Sequence, residues 1–252
     1  MPESRLWSTL YGSAALAVFG LLLVVASVLT LIVPGMRLRR GLIRGFARLG
    51  LMVLGLRIEV RGEDQLPDSS CIVVANHSSY LDGVVLKAVL PPRFSFVIKR
   101  EAAAFPVAGL LLRRIGSEFV DRGSHSGRQS DARRVVRHAV AGHSLVFFPE
   151  GTFTAEPGLR RFHVGAFVAA ARAHQQLVPV VIRGARRAMP SGAIMPRAGR
   201  IEVDILEPLA PTDERNAAEV LRREARRRML ARLDEPDLEP SVAASVPNAT
   251  GA

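Results

Sequence analysis

His77 and Asp82, five positions apart in the stretch ANHSSYLD (75–82), are residues whose types could do chemistry together. A carboxylate on one imidazole nitrogen fixes the tautomer and stabilises the imidazolium, leaving the other nitrogen to take a proton from a hydroxyl. Within one ideal helix, side chains five residues apart diverge by about 140°. The spacing therefore predicts His77 in a loop and Asp82 in the first turns of the following helix, reaching back to the ring. Taken alone the pair is weak, because a loop histidine and a helix-start aspartate meet at this spacing by chance. Its position directly after the apolar run CIVVA (71–75) gives it weight, since ligand sites in open α/β sheets collect at strand ends.

A second constellation follows another apolar run, SLVFF (144–148): Pro149, Glu150, Gly151 and Thr152. Proline followed by Glu-Gly ends the strand sharply, and glycine lets backbone N–H groups approach an anion. The bland reading of the same residues is a turn. Between the two constellations lie Lys99 and Arg100, then Arg113, Arg114 and Arg122, cations near further strand ends where a phosphate could be held. The remaining histidines, His125, His138, His143, His163 and His174, show no metal-ligand spacing such as HExxH. The single cysteine, Cys71, opens an apolar run, reads as a small buried hydrophobe and offers neither a disulfide framework nor a thiolate site. No metal and no cofactor is expected. An esterase of the Ser-His-Asp type is excluded because no G-x-S-x-G nucleophile elbow occurs.

Elements that could position these residues are legible from periodicity. Short apolar runs read as strands at 57–61, 71–75, 94–98, 117–120, 144–148, 179–183 and 200–206, and helical patterns fill the gaps at about 79–90, 102–114, 127–141, 162–174 and 213–233. This alternation predicts an α/β domain over 57–233. No internal repeat is present.

The flanks point to a membrane. From Ser8 to Val33 there is no charged residue, and the segment is long enough to cross a bilayer as a helix of about 20 residues. The competing reading, a cleaved signal peptide, is disfavoured because the apolar run exceeds an ordinary signal core. Arginines 37, 39, 40, 44 and 48 follow, so the positive-inside rule predicts a single N-terminal anchor in the cell membrane (1–35) with the catalytic part in the cytoplasm. Residues 36–56 alternate arginines with bulky apolar residues. They read as an amphipathic interfacial helix, arginines toward lipid phosphates and Leu42, Phe46, Leu49 and Val53 toward acyl chains. Lys plus Arg number 34 against 23 Asp plus Glu, a formal charge of +11 that implies a polyanionic partner. An anionic membrane surface fits. Nucleic acid, allowed by charge alone, is disfavoured, because the basic run LRREARRRMLARL carries no interleaved stacking aromatics. From Asp234 the composition predicts a disordered tail, 234–252.

The order NHSSYLD, IKRE, GSEFVDR, FPEGT, VPVVIRG resembles the lysophosphatidic acid acyltransferase family of glycerolipid acyltransferases over roughly residues 70–185. That resemblance implies a mixed seven-stranded sheet flanked by helices. It also implies transfer of a fatty acyl group from acyl-CoA or acyl-carrier protein to the free hydroxyl of a lysophospholipid, foremost 1-acyl-sn-glycerol-3-phosphate. His77 matches the family's base and Asp82 its orienting partner. Lys99 and Arg122 match positions that bind the acceptor's phosphate, and Glu150, Gly151 and Thr152 match the second acceptor-side motif. Two departures fall on the acceptor side. Phe153 stands where many members carry an arginine, which moves that contact to Arg160 or Arg161 or removes it, and Phe162-His163-Val164-Gly165 replaces Phe-Lys-x-Gly. The reaction class survives these changes. A lysophospholipid with a larger head group, or a lyso-aminolipid, becomes an alternative acceptor. A non-catalytic basic membrane scaffold explains the charge and the anchor but not the full set of strand-end motifs.

Overall fold

The structure, a computed structural model, describes residues 2–121, 125–212 and 214–239. Helices α1 (Pro2–Ile32) and α2 (Met36–Val53) lead into the sheet domain. That domain comprises β1 (Leu56–Arg61), β2 (Cys71–Ala75), α3 (Leu81–Val89), β3 (Ser95–Lys99), α4 (Pro106–Arg114), β4 (Glu118–Val120), α5 (His125–Val140), β5 (Leu145–Phe147), α6 (Gly165–Ala173), β6 (Gln176–Arg183), α7 (Ala185–Ala188), β7 (Gly199–Ile205) and α8 (Ala217–Leu230). All seven expected strands form, in one mixed sheet of order β1-β7-β6-β2-β5-β3-β4.

Strand direction decides where the motifs meet. β4, β3, β5, β2 and β6 are mutually parallel, while β7 runs antiparallel to β6 and carries β1 with it. The four motif-bearing strands β2, β5, β3 and β4 are consecutive in the sheet, so the loops that leave them emerge along one edge.

Alternation along the strands sorts the core into two layers. Val73, Ala75, Val146, Val178 and Val180 face α2 and α3, whereas Ile72, Val74, Leu145, Phe147 and Val181 face α5, α6 and α8. β2 is buried on both faces, which is why its sequence is a continuous apolar run.

Both N-terminal helices pack onto the domain. α1 turns Ala15, Phe19 and Ala26 inward against α2 and α4, and leaves Val18, Leu21, Val24, Val25, Val28, Leu31 and Ile32 exposed on its other side. Its last carbonyls are capped by arginines: Arg114 donates to Thr30 O at 2.8 Å and Leu31 O at 3.2 Å, and Arg39 to Val33 O at 2.8 Å. Cations at a helix C-terminus satisfy orphan carbonyls and complement the dipole. In α2 the sequence expectation needs correction, because three of its arginines turn to protein. Arg44 donates to Val89 O at 2.7 Å and Arg48 to Ala88 O at 2.9 Å, capping α3, and Arg40 donates to Ile115 O at 2.8 Å and Arg93 O at 3.0 Å. Ile43, Ala47 and Leu51 are buried beneath them.

The expected disorder from Asp234 is also corrected over 234–239. Leu159 N donates to Pro236 O at 2.8 Å and Leu238 N to Leu159 O at 3.0 Å, a short strap laid on the segment that follows β5. Glu235 forms a forked pair with Arg186, at 2.8 and 2.9 Å, and accepts from Gly158 N at 2.8 Å. Asp237 pairs with Arg226, and Glu239 with Arg222 at 3.0 Å. Gly158, at φ +139°, lets the strap approach, since a Cβ there would overlap Leu238. The acidic composition read as disorder because these arginine partners lie elsewhere in the chain. Residues 240–252 lie outside the described residues.

Candidate active site

β2 delivers His77 two residues beyond its last pairing, and α3 begins in time to place Asp82 in its first turn. The pair closes as its spacing requires, with His77 Nδ1 2.9 Å from Asp82 Oδ2. The same oxygen accepts from Ser78 N at 2.6 Å and Ser79 N at 2.8 Å, so the carboxylate folds the preceding loop back onto the helix start while it holds the imidazole. Asp82 is wholly buried, and its Oδ1 has no partner among the described residues. A carboxylate can only accept, so Nδ1 carries the proton toward Asp82 and Nε2 is left as the basic nitrogen. The imidazole is 19% exposed. Its ring stacks on Phe148 at 4.3 Å and meets the edge of Phe153 at 4.6 Å, and Phe153 in turn meets Tyr80 at 4.7 Å.

Two residues of the first motif hold its loop and were given no role by sequence reasoning. Asn76 exchanges both amide bonds with Ile182 of β6, donating to its O at 2.9 Å and accepting from its N at 2.7 Å. Ser79 Oγ donates to Met189 O at 2.8 Å. The signal available was their place on either side of the histidine, in a loop that leaves a buried strand.

Glu150 lies beneath the second motif as a brace between the two loops. Its Oε1 accepts from His77 N at 2.7 Å and its Oε2 from Arg160 N at 3.0 Å. Burial pushes this carboxyl up to about 7, and the negative charges of Asp82 and Glu235 add to the rise, against the two backbone donors that favour the ionised form. Gly151 takes φ +78°, which the turn out of β5 demands and which other residues adopt only with strain. Thr152 is exposed. The loop continues to Thr154, whose carbonyl accepts from Arg186 at 2.7 Å, and on to the segment gripped by the C-terminal strap.

Lys99 is exposed at the end of β3, on the same edge of the sheet. Arg122 lies outside the described residues. The neighbouring Asp121 N donates to Asp131 at 2.7 Å, and Asp131 also accepts from Arg100 at 3.0 Å and Arg134 at 2.6 Å, tying the ends of β3 and β4 to α5. Arg161 lies 3.7 Å from Glu239 at the surface.

Beside the His77–Asp82 pair lies an apolar cavity of about 410 Å³, walled by α1, α2, α3, α4 and β3. Phe148, on which His77 stacks, and Tyr80 line its near end; Phe19 and Leu23 of α1 and Phe46 of α2 form the wall away from the sheet. Among the described residues no cluster of His, Cys, Asp and Glu could hold a metal ion. A base with an unencumbered nitrogen, next to a pocket for a long apolar group, can activate a hydroxyl against a carbonyl carried by an acyl chain.

Comparisons with known proteins agree with this chemistry. The family model described as Acyltransferase matches residues 57–183. The lyso-ornithine lipid O-acyltransferase of Pseudomonas aeruginosa is 30% identical, over 69% of this chain and 72% of its own. The human 1-acyl-sn-glycerol-3-phosphate acyltransferase beta is 32% identical, over 69% of this chain and 63% of its own. Among solved structures, the 1-acyl-sn-glycerophosphate acyltransferase PlsC of Thermotoga maritima superposes with a TM-score of 0.67 at 22% identity, covering 90% of this chain and 97% of that one.

Proposed function

The chain belongs to the acyltransferase family, and on that premise we propose that it moves a fatty acyl group from an acyl-CoA or acyl-carrier-protein thioester to the free hydroxyl of 1-acyl-sn-glycerol-3-phosphate, giving phosphatidate. The observation that carries the reading is the His77–Asp82 pair at the near end of the apolar cavity. Nε2 of His77 takes the hydroxyl proton as the oxygen attacks the thioester carbonyl, forming the C–O bond. The tetrahedral intermediate then expels the thiolate, which recovers the proton from the imidazolium held by Asp82. The cavity takes the acyl chain. Lys99 and Arg122 hold the acceptor's phosphate, Gly151 and Thr152 contact the acceptor side, and Glu150 locks the two motif loops together. No cofactor is needed, since the thioester is already activated.

The protein works at a membrane. Gly12–Ile32 is long and apolar enough to cross one, and the exposed apolar face of α1 continues into Leu38, Leu49 and Met52 of α2. The anchor reading and the cytoplasmic placement of the catalytic part are proposals that rest on the arginines after residue 34.

A second reading keeps the reaction and changes the acceptor to a lyso-aminolipid. Phe153 favours it: an aromatic ring, not a cation, covers His77 from the acceptor loop. The deciding experiment presents purified full-length protein with one labelled thioester and a panel of lysolipids. Release of free thiol that depends on 1-acyl-sn-glycerol-3-phosphate and disappears in His77→Ala is expected. Turnover confined to a lyso-aminolipid selects the second reading, and no acceptor-dependent thiol release with any lysolipid overturns both.

A further inference from the structure

Lys87 is out of place. It stands on the cavity-facing side of α3, in line with Tyr80, Gly83 and Val84 at helical spacing, and it is the one charged side chain among the residues that line the cavity. Its Nζ sits 3.9 Å above the ring of Phe96. Among the described residues no carboxylate, hydroxyl or carbonyl accepts from it. Burial, reinforced by the positive charge of Arg40 from α2, pushes the amine down to about 7, so at neutral pH it is divided between ammonium and free amine.

Direction along the elements fixes its depth. β3 runs toward the catalytic edge, so Ile98 lies near that edge and Phe96 farther from it. α3 runs the other way, and seven residues from Tyr80 to Lys87 correspond to about 10 Å of helix. Lys87 and Phe96 thus sit at the end of the cavity remote from His77. A plain hydrocarbon chain occupying that end would leave a buried amine facing methylene groups, unpaired, at a cost in desolvation.

We propose that Lys87 makes this cavity selective for acyl chains that carry an oxygen function, a hydroxyl foremost, well down the chain from the thioester carbonyl. The inference rests on the reading of the cavity as the acyl site. The oxygen of such a chain accepts a hydrogen bond from the protonated amine, or its hydroxyl donates to the free amine, so either protonation state finds a partner. Apart from Tyr80, the other residues that line the cavity are apolar and offer the amine no side-chain partner.

The test compares pairs of acyl thioesters of equal length, one saturated and one hydroxylated at successive positions beyond the middle of the chain, as competing donors for the full-length protein. Wild type should favour the hydroxylated donor in kcat/KM by about tenfold at its best position. Lys87→Met, close in volume and apolar, should abolish or reverse that preference while using the saturated donor at least as well. Lys87→Gln should retain part of it. Equal use of both donors at every position by wild type overturns the inference, and this requires no variant to fold. So does a Lys87→Met protein that keeps the preference, or one in which only the favoured chain length changes. The failures are separable: a wild type that turns over saturated thioesters without regard to hydroxylation leaves the acyl-transfer reading intact, whereas one that turns over no thioester overturns both.

Discussion

The two motif loops of the site are held by opposite means. The loop after β2 is largely self-contained: within eight residues, Asp82 gathers His77 Nδ1, Ser78 N and Ser79 N on one oxygen, with Asn76 and Ser79 tying its ends to β6 and Met189. The loop after β5 depends on remote parts of the chain. Arg186 holds Thr154, the strap from Glu235 to Leu238 holds Gly158 and Leu159, and Arg226 holds Leu159 and Arg160 through their carbonyls. Glu150 bridges the two by hydrogen bonds, and the rings of Phe148 and Phe153 pack across from the second loop onto His77 and Tyr80. The proposed base thus sits in the loop held by local contacts, and the proposed acceptor side is held by contacts from distant parts of the chain.

That contrast can be broken at its strongest point first. His77→Ala should lower acyl transfer by about a hundredfold to ten-thousandfold, with membrane association and the fold retained, because the backbone hydrogen bonds of the loop to Asp82 and Glu150 remain. Retention of near wild-type turnover would remove the pair from the mechanism. Asp82→Asn should be severe as well, since an amide presented to Nδ1 can hold the imidazole in the wrong tautomer.

The bridge comes next. The Glu150 carboxyl is raised from its ordinary 4.5 to about 7, so between these values the folded protein binds more protons than the unfolded chain and stability falls as pH rises. Glu150→Gln should flatten that fall, which for a shift of this size is on the order of 3 kcal/mol. Denaturant melts from pH 4 to 8 measure it. Parallel curves for the two proteins would show that the carboxyl does not titrate in this window.

A smaller effect should follow from cutting the strap. A chain ending at Leu233 should raise the acceptor KM by about tenfold, the scale of a lost charge-assisted contact, while the thioester KM changes little. An equal rise in both would mean the strap serves stability alone. The smallest effect belongs to Phe153→Arg, which restores a cation beside Thr152 and removes a ring from His77. Turnover should drop modestly for every acceptor, yet the kcat/KM ratio of 1-acyl-sn-glycerol-3-phosphate to capped-phosphate acceptors should rise severalfold. An unchanged ratio would make this position silent for head-group choice.

The same contrast explains what could be read from the chain. All seven strands were legible because the apolar runs are short, separated by polar helical patterns, and long enough to count. His77 and Asp82 were legible because the contact is local and its chemistry is written in residue type. The strap was not, since Glu235, Asp237 and Glu239 find arginines of α7 and α8 that no spacing rule connects to them, and composition alone read them as solvent-seeking. Arg40, Arg44 and Arg48 misled for a related reason. A basic helical face suits lipid phosphate and helix-end carbonyls equally, and tertiary packing made the choice. Lys87 carries no sequence signal of its own, because its surroundings are built by α1, α2 and β3, which pack around the cavity beside α3.

α1 carries a consequence for handling the protein. Helices that merely tether an enzyme can be cut away to leave a soluble, active remnant. Here Phe19, Leu22, Leu23 and Ala26 are one wall of the cavity while Val18, Leu21, Val25 and Val28 point outward from the same turns. Trimming the helix would leave the remaining walls open to water, so the proposed tether and the proposed acyl receptacle share one helix, and neither can be redesigned without refitting the other.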